Sequence, residues 1–321
     1  MSERIVIQNL QVESGSKKLG YIAAAKTPSS VVQMPIMIIN GAKKGPKLSV
    51  TAGVHGCEYT GIVGLGRLFR SVDPKNVSGA VIAAPVVNVP SFENRTPYVC
   101  PVDMQNLNRI FPGRPDGTVG FQLAHTAFNE VISRCNYHID LHGGDMGEEH
   151  IDVAYFSRIG NPDLDKKSEA LARNCLAEWV WEHSPPTKGS TVGSALEKGI
   201  AAITYEVGDL ARLEESRVRL VHDGILNIMR YLGMLPEEVM KSKSRDLDQR
   251  MMARAQNGGI FFPKVKQGDI VSKGQPLGEI LNLAGEVVEK ISSPADGVVL
   301  QTFPTSAVYS GASLVGVASF R

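Results

Sequence analysis

Four side chains able to bind a cation or move a proton stand where the chain turns. TAGVHGCEY (51–59) carries His55 and Glu58 three residues apart, IDLHGG carries His142, and TYEVG carries Glu206. An imidazole and a carboxylate on so short a loop can grip one cation together. A second histidine completes the two-histidine, one-carboxylate set of catalytic zinc sites, which leaves a position for water or substrate. Gly53 and Gly56 flank His55 and permit a close approach of backbone and ligand. In HIDLH the alternation puts His138, Asp140 and His142 on one strand face, so Asp140 can orient an imidazole from behind. The competing reading of His55 is a turn histidine bonded to backbone, because H-x-x-E by itself recurs by chance in a chain with seven histidines.

These residues need a scaffold that brings distant turns together. Residues 1–34 alternate apolar and polar and read as a leading hairpin or edge strands. From Pro35 onward short apolar runs alternate with helical spacing. PIMIIN, KLSVTAG, GAVIAAPVV, NYHIDLH, IDVAYFS and IAAITYEVG read as strands; residues 59–70, 118–135, 161–181 and 214–235 read as helices. That pattern predicts a mixed, mostly parallel sheet covered by helices on both faces, with a site beyond the carboxyl ends of the strands. A charged stretch, 236–256, reads as a connector. The remainder, rich in short strands and Gly/Pro turns, reads as a second, all-β module. The expected division is a catalytic domain over 1–240 and a β-domain over 255–321.

The totals narrow the function classes. With 321 residues and 43% hydrophobic content the chain can bury a large core, and a formal net charge of +1 gives no reason to expect nucleic acid or an anionic membrane as partner. No apolar run has the roughly 20 residues a membrane helix needs. Four scattered cysteines without CxxC spacing, and an N-terminus without a signal-peptide core, point to reduced thiols in a cytoplasmic protein.

Two resemblances follow from the motifs. The repeats V-x-x-G-D-x-V-x-x-G-Q-x-L-G and SPADGVV resemble the barrel-like biotinyl/lipoyl domain over about 60 residues. That domain presents a lysine between methionines at a hairpin tip, whereas NLAGEVVEK has Glu286 near that place, which points to a structural or lid module without a covalent arm. The larger part, 35–235, resembles the succinylglutamate desuccinylase/aspartoacylase family, relatives of the zinc carboxypeptidases. Its H-G-x-E and D-L-H motifs stand here as His55–Glu58 and Asp140–His142, its N-L-N-R-x-F as QNLNRIF, and its E-V-G at Glu206.

The resemblance implies one Zn²⁺ per chain held by His55, Glu58 and His142, and Glu206 as the group that takes a proton from water and returns it to the leaving nitrogen. It implies Asn108 and Arg109 as binders of a substrate carboxylate, for which the guanidinium fork is suited. For the family's transition-state arginine the nearest candidate is Arg95, which could equally be a solvated loop residue. Cys57 occupies the variable position of H-G-x-E, as a small packed group or a thiol that perturbs the metal. The acidic loop GGDMGEEHID is either a solvated turn or a selector of cationic substrates through Asp145 or Glu148, which would suit the family's N-acetyl-diaminobutyrate deacetylases. The expected activity is removal of an acyl group from a small N-acyl amino acid or related amide. The alternatives are a zinc carboxypeptidase acting on peptides, a cysteine hydrolase using Cys57 and His55, and a non-catalytic binding or carrier protein. Edge strands and the β-module offer surfaces for a homo-oligomer.

Overall fold

The structure is a computed structural model that describes residues 2–304 and 306–321. The chain opens on a hairpin of β1 (Ile5–Ile7) and β2 (Leu10–Val12), followed by β3 (Ser16–Lys26), β4 (Val31–Asn40) and β5 (Lys43–Thr51). α1 (Tyr59–Ser71) leads to β6 (Ser78–Ala84); α2 (Val89–Asn94) and α3 (Val119–Glu130) lead to β7 (Tyr137–His142). Next come β8 (Glu149–His150), β9 (Val153–Phe156), α4 (Pro162–Asn174), β10 (Trp179–Glu182), α5 (Thr191–Glu197), β11 (Ala201–Glu206) and α6 (Glu215–Tyr231). The rest is β: β12 (Arg245–Arg254), β13 (Gly259–Pro263), β14 (Ile270–Val271), β15 (Pro276–Leu281), β16 (Val287–Ser292), β17 (Gly297–Thr302), β18 (Ala307–Val308) and β19 (Ser313–Phe320).

A single mixed sheet runs through the molecule in the order β14-β17-β19-β12-β10-β9-β11-β7-β5-β6-β4-β3. Its centre is parallel where β6, β5, β7 and β11 lie side by side. β6, β7 and β11 are buried over most of their length, as expected of strands covered on both faces, and in β7 the apolar residues alternate with His138, Asp140 and His142. The register pairs Thr51 with Asp140 and His142 with Glu206, so the candidate residues of three strands end at one level. No described helix is long and apolar enough to cross a membrane.

Three sequence expectations are corrected. The helix expected over 161–181 ends at Asn174, and WVWE becomes β10, in keeping with the β-preference of Trp and Val. The start was legible: Asn161 caps it by accepting from Leu164 N, with Pro162 in the first turn. The connector over 236–256 contains β12, which pairs with β10 on one side and β19 on the other. Its charges concealed it, because only Leu247 and Ala253 of this strand are buried. Finally, the C-terminal strands divide between the long sheet and a four-stranded sheet, β16-β15-β13-β18, around a core that includes Phe261, Leu277 and Val299. Among the described residues the ladder does not close into a barrel.

Candidate metal centre and substrate pocket

The turn after β5 is shaped by two glycines. Gly53 adopts φ +58°, a left-handed conformation that favours glycine. Gly56 packs so closely on α2 that an added Cβ would lie 2.2 Å from the Phe92 amide nitrogen. Its small size therefore serves the contact with α2, not an approach to a metal. Glu58 then occupies the N-cap of α1, yet its side chain makes no capping bond. The carboxylate instead turns inward.

There it lies between two imidazoles. Glu58 Oε1 is 2.7 Å from His55 Nδ1 and Oε2 is 2.8 Å from His142 Nδ1. The outer nitrogens face oxygen acceptors: His142 Nε2 lies 2.8 Å from Asp140 Oδ2, and His55 Nε2 lies 3.2 Å from Asn106 Oδ1. Asp140 is fixed in turn by the Thr51 hydroxyl at 2.6 Å and by the Thr191 hydroxyl. All of His55, Glu58, Asp140 and His142 are buried. One donor atom from each of His55, Glu58 and His142 lies within 4.8 Å of the others. Two nitrogens and a carboxylate, each imidazole held from behind by an oxygen, suit the donor preferences of zinc.

The electrostatics follow from burial and proximity. Burial pushes the Asp140 carboxyl up, but His142, His138 and Thr191 outweigh it and hold the group at about 2. Burial likewise opposes ionisation of Glu58, and the two histidines more than offset it, so its carboxyl is lowered. Glu206 has no comparable partner. Burial raises its carboxyl to about 8, with the charges of Glu58, Glu148 and Asp140 adding to the rise and His142 opposing it. Such a carboxyl is poised to exchange protons near neutrality.

A cleft of about 300 Å³ adjoins these groups. His55, Glu58, His142 and Glu206 line it, and so do Asn108 and Arg109. Asn108 Nδ2 is 3.4 Å from His142 Nε2, and its Oδ1 accepts from Thr191 N at 3.2 Å. Arg109 is exposed and donates to the carbonyl of Asn108 at 2.7 Å.

Two expected residues are elsewhere. Arg95 does not line the cleft: it is the left-handed C-cap of α2, with φ +53°, and it is exposed. Asp145 is fully buried and spends its carboxylate on backbone, accepting from Tyr98 N at 2.9 Å and Met146 N at 2.6 Å. Its neighbour Glu148 is the acid of that loop that reaches the cleft, where it accepts from Tyr98 Oη at 3.1 Å and Gln301 Nε2 at 2.7 Å. Cys57 is buried, absent from the cleft lining, and its thiol is pushed up by burial and by Asp145, which suits packing and not nucleophilic attack.

Sequence reasoning missed Asn106, Thr191, Trp181, Arg250 and Gln301. Asn106 was within reach, since it is the first Asn of the N-L-N-R motif. Thr191 lies on the unanticipated α5, and Arg250 lies in the stretch read as a connector.

The family model of the succinylglutamate desuccinylase/aspartoacylase catalytic domain matches residues 44–232. An N-alpha-acetyl-L-2,4-diaminobutyric acid deacetylase of Halomonas elongata is 25% identical over 306 residues, which is 92% of this chain and 88% of the relative. The fold is shared with the product-bound ectoine utilization protein EutE (DoeB) of Ruegeria pomeroyi, at TM-score 0.90 and 22% identity over 99% and 100% of the two chains. It is shared also with a succinylglutamate desuccinylase/aspartoacylase of Rhodobacter sphaeroides, at TM-score 0.87 and 24% identity over 95% and 96%.

Proposed function

Because this chain belongs to the succinylglutamate desuccinylase/aspartoacylase family, we propose that it is a zinc-dependent amidohydrolase that removes the acyl group of a small N-acyl amino acid or related amide. The observation that carries the reading is the Glu58 carboxylate set between the inner nitrogens of His55 and His142, each imidazole braced by an oxygen on its far side. Zinc held by these three residues supplies a Lewis acid for the amide carbonyl and lowers the pKa of water.

The chain's own residues do the rest. Glu206 accepts the proton of the attacking water at its carboxylate and delivers it to the leaving nitrogen, as its raised carboxyl fits it to do. Asp140 fixes the ring of His142 and Asn106 that of His55, so both imidazoles keep one orientation. Arg109, on the rim with most of its donors free, receives a substrate carboxylate. A small substrate is favoured over a peptide because Arg250 and Gln301, from strands C-terminal to α6, form part of the cleft wall.

The test is metal analysis of the purified protein together with deacylation assays on a panel of N-acyl amino acids, peptides and a Glu206→Gln control. One zinc per chain and turnover of the acyl amino acids, lost in Glu206→Gln, is expected. A metal-free active protein, or a fully active Glu206→Gln, would sink the mechanism.

A further inference from the structure

Two acids of the loop after His142 converge on one half-buried tyrosine. Asp145 Oδ2 accepts from the Tyr98 amide at 2.9 Å, and Glu148 Oε2 lies 3.1 Å from the Tyr98 hydroxyl, so backbone and side chain are both held. The backbone shows why a hold is needed. Val99 N donates to Pro97 O at 2.6 Å, which closes a three-residue turn on Tyr98, and Tyr98 has φ +57°. Turns of that kind are rare and strained, the more so for a bulky residue. Such strain persists where the surroundings fix it, and here it sets a ring in the cleft lining. That ring meets His55 edge to face with centroids 5.5 Å apart.

Amide hydrolysis has a use for a donor at this place. As water adds to the acyl carbon, the carbonyl oxygen takes on negative charge, which a fixed hydrogen-bond donor stabilises strongly. Arg95 does not line the cleft, and Asn106 and Asn108 meet the outer nitrogens of the two imidazoles, away from Glu58. Tyr98 offers a hydroxyl that keeps its proton: burial first, then the charges of Glu148 and Asp145, push its pKa well above the usual range.

Glu148 decides where that proton points. Gln301 Nε2 donates to Glu148 Oε1 at 2.7 Å, which leaves Oε2 as the oxygen to be protonated. Burial, then the Glu58 charge with a smaller push from Asp145, raises this carboxyl to about 7 against the opposing Tyr98 bond and His55. An ionised Glu148 accepts the tyrosine proton. A protonated one donates to the tyrosine oxygen instead, and the hydroxyl's own proton is free to turn to the cleft.

We propose that Tyr98 is a catalytic residue of this site: its hydroxyl, backed by Glu148 and with its backbone pinned by Asp145, donates a hydrogen bond to the acyl oxygen as charge develops there. The inference rests on the hydrolase reading and adds a residue to its chemistry. Tyr98 transfers no proton. The water oxygen bonds to the acyl carbon while the carbonyl electron pair moves onto oxygen. That pair returns as the C–N bond breaks, and Glu206 carries the proton from water to nitrogen.

Tyr98→Phe keeps the ring against His55 and removes only the hydroxyl. On the fastest substrate of the N-acyl amino acid panel, kcat should fall about 10²–10³-fold with KM nearly unchanged. Calorimetry with the methylphosphonamidate of the same amino acid, tetrahedral where the amide is planar, should register a comparable loss of affinity. Metal analysis should still find one zinc per chain. Glu148→Ala should lower kcat about ten-fold, and Glu148→Gln, whose amide donates to the tyrosine oxygen as a protonated carboxyl would, should restore most of it. An unchanged kcat in Tyr98→Phe, a rise in KM alone, or loss of zinc from that variant overturns the assignment. Equal losses in the two Glu148 variants overturn it too, and that pair decides the matter if Tyr98→Phe does not fold. An unmodified protein inactive on every amide defeats the hydrolase reading and this inference with it; an active protein indifferent to Tyr98→Phe defeats the inference alone.

Discussion

At one end of the cleft His55, Glu58, Asp140 and His142 are buried at the ends of central strands, and each carboxylate and imidazole has a partner on both sides. At the other end Arg109 and Arg250 are exposed, on a short turn and on the strand between β10 and β19, and each rests against an uncharged neighbour. The first arrangement locks rotamers and dries the surroundings, which preorganises charge for chemistry. The second leaves cations open to solvent with no salt-bridge partner among the described residues, and so ready to accept a charged ligand. Glu206, half-buried at the end of β11 beside His142, adjoins the first end, but among the described residues no cation hydrogen-bonds to it to hold its charge, and its carboxyl rises accordingly.

The largest expected effect comes from removing that proton acceptor. Glu206→Gln should lower kcat by about 10²–10⁴-fold while one zinc per chain is retained, as turnover and metal analysis would register. A mild loss would transfer the proton role to another group.

Next is the pair Asp145 and Glu148, two acids of one loop with different duties. Asp145→Ala strips two backbone amides of their acceptor and should cost roughly 2–4 kcal/mol of stability in denaturant unfolding. Its effect on KM should not depend on substrate charge. Selective loss of cationic substrates by a stable Asp145→Ala protein would restore this residue to substrate recognition.

Asp140→Asn tests whether the buried end is organised around a metal. It should weaken zinc affinity by about 10–100-fold with the three ligands untouched, as competition with a chelating dye would show. Unchanged affinity would mean that Asp140 serves packing alone.

The smallest effect concerns Glu148. Burial and then the Glu58 charge raise its carboxyl to about 7 from an ordinary 4.5. The folded protein keeps this proton at pH values where the unfolded chain has lost it, so the contribution to stability is full below 4.5 and is lost as pH rises through 7. In metal-free protein Glu148→Gln should therefore gain on the unmodified chain between pH 5 and pH 8, by on the order of 1 kcal/mol in melting experiments. A constant difference across that range would show that Glu148 titrates normally.

Legibility in the sequence tracked burial. The strands ending at Thr51, His142 and Glu206 each carry a short buried stretch with apolar residues, and His55 and Glu58 stand in the turn just beyond the first of them, so both the central sheet and the residues at its ends could be read. β12 could not, because eight of its ten residues are only partly buried or exposed and its charges mask the alternation. With it went Arg250 and the continuity of the sheet into the C-terminal strands. Asp145 and Arg95 were misjudged for another reason. Residue type and loop position do not tell whether a carboxylate faces a cleft or a run of backbone amides, or whether an arginine ends a helix facing outward. The first depends on where Tyr98, 47 residues earlier in the chain than Asp145, comes to lie, and the second on how α2, which Arg95 ends, is turned in the fold.

The central claim is that His55, Glu58 and His142 form one metal centre, and anomalous diffraction at the zinc edge tests it most directly. The expected map has a single strong peak per chain, bonded to the Nδ1 atoms of His55 and His142 and to the Glu58 carboxylate. No peak in zinc-loaded crystals, or a peak at Cys57 or any other set of side chains, would contradict it.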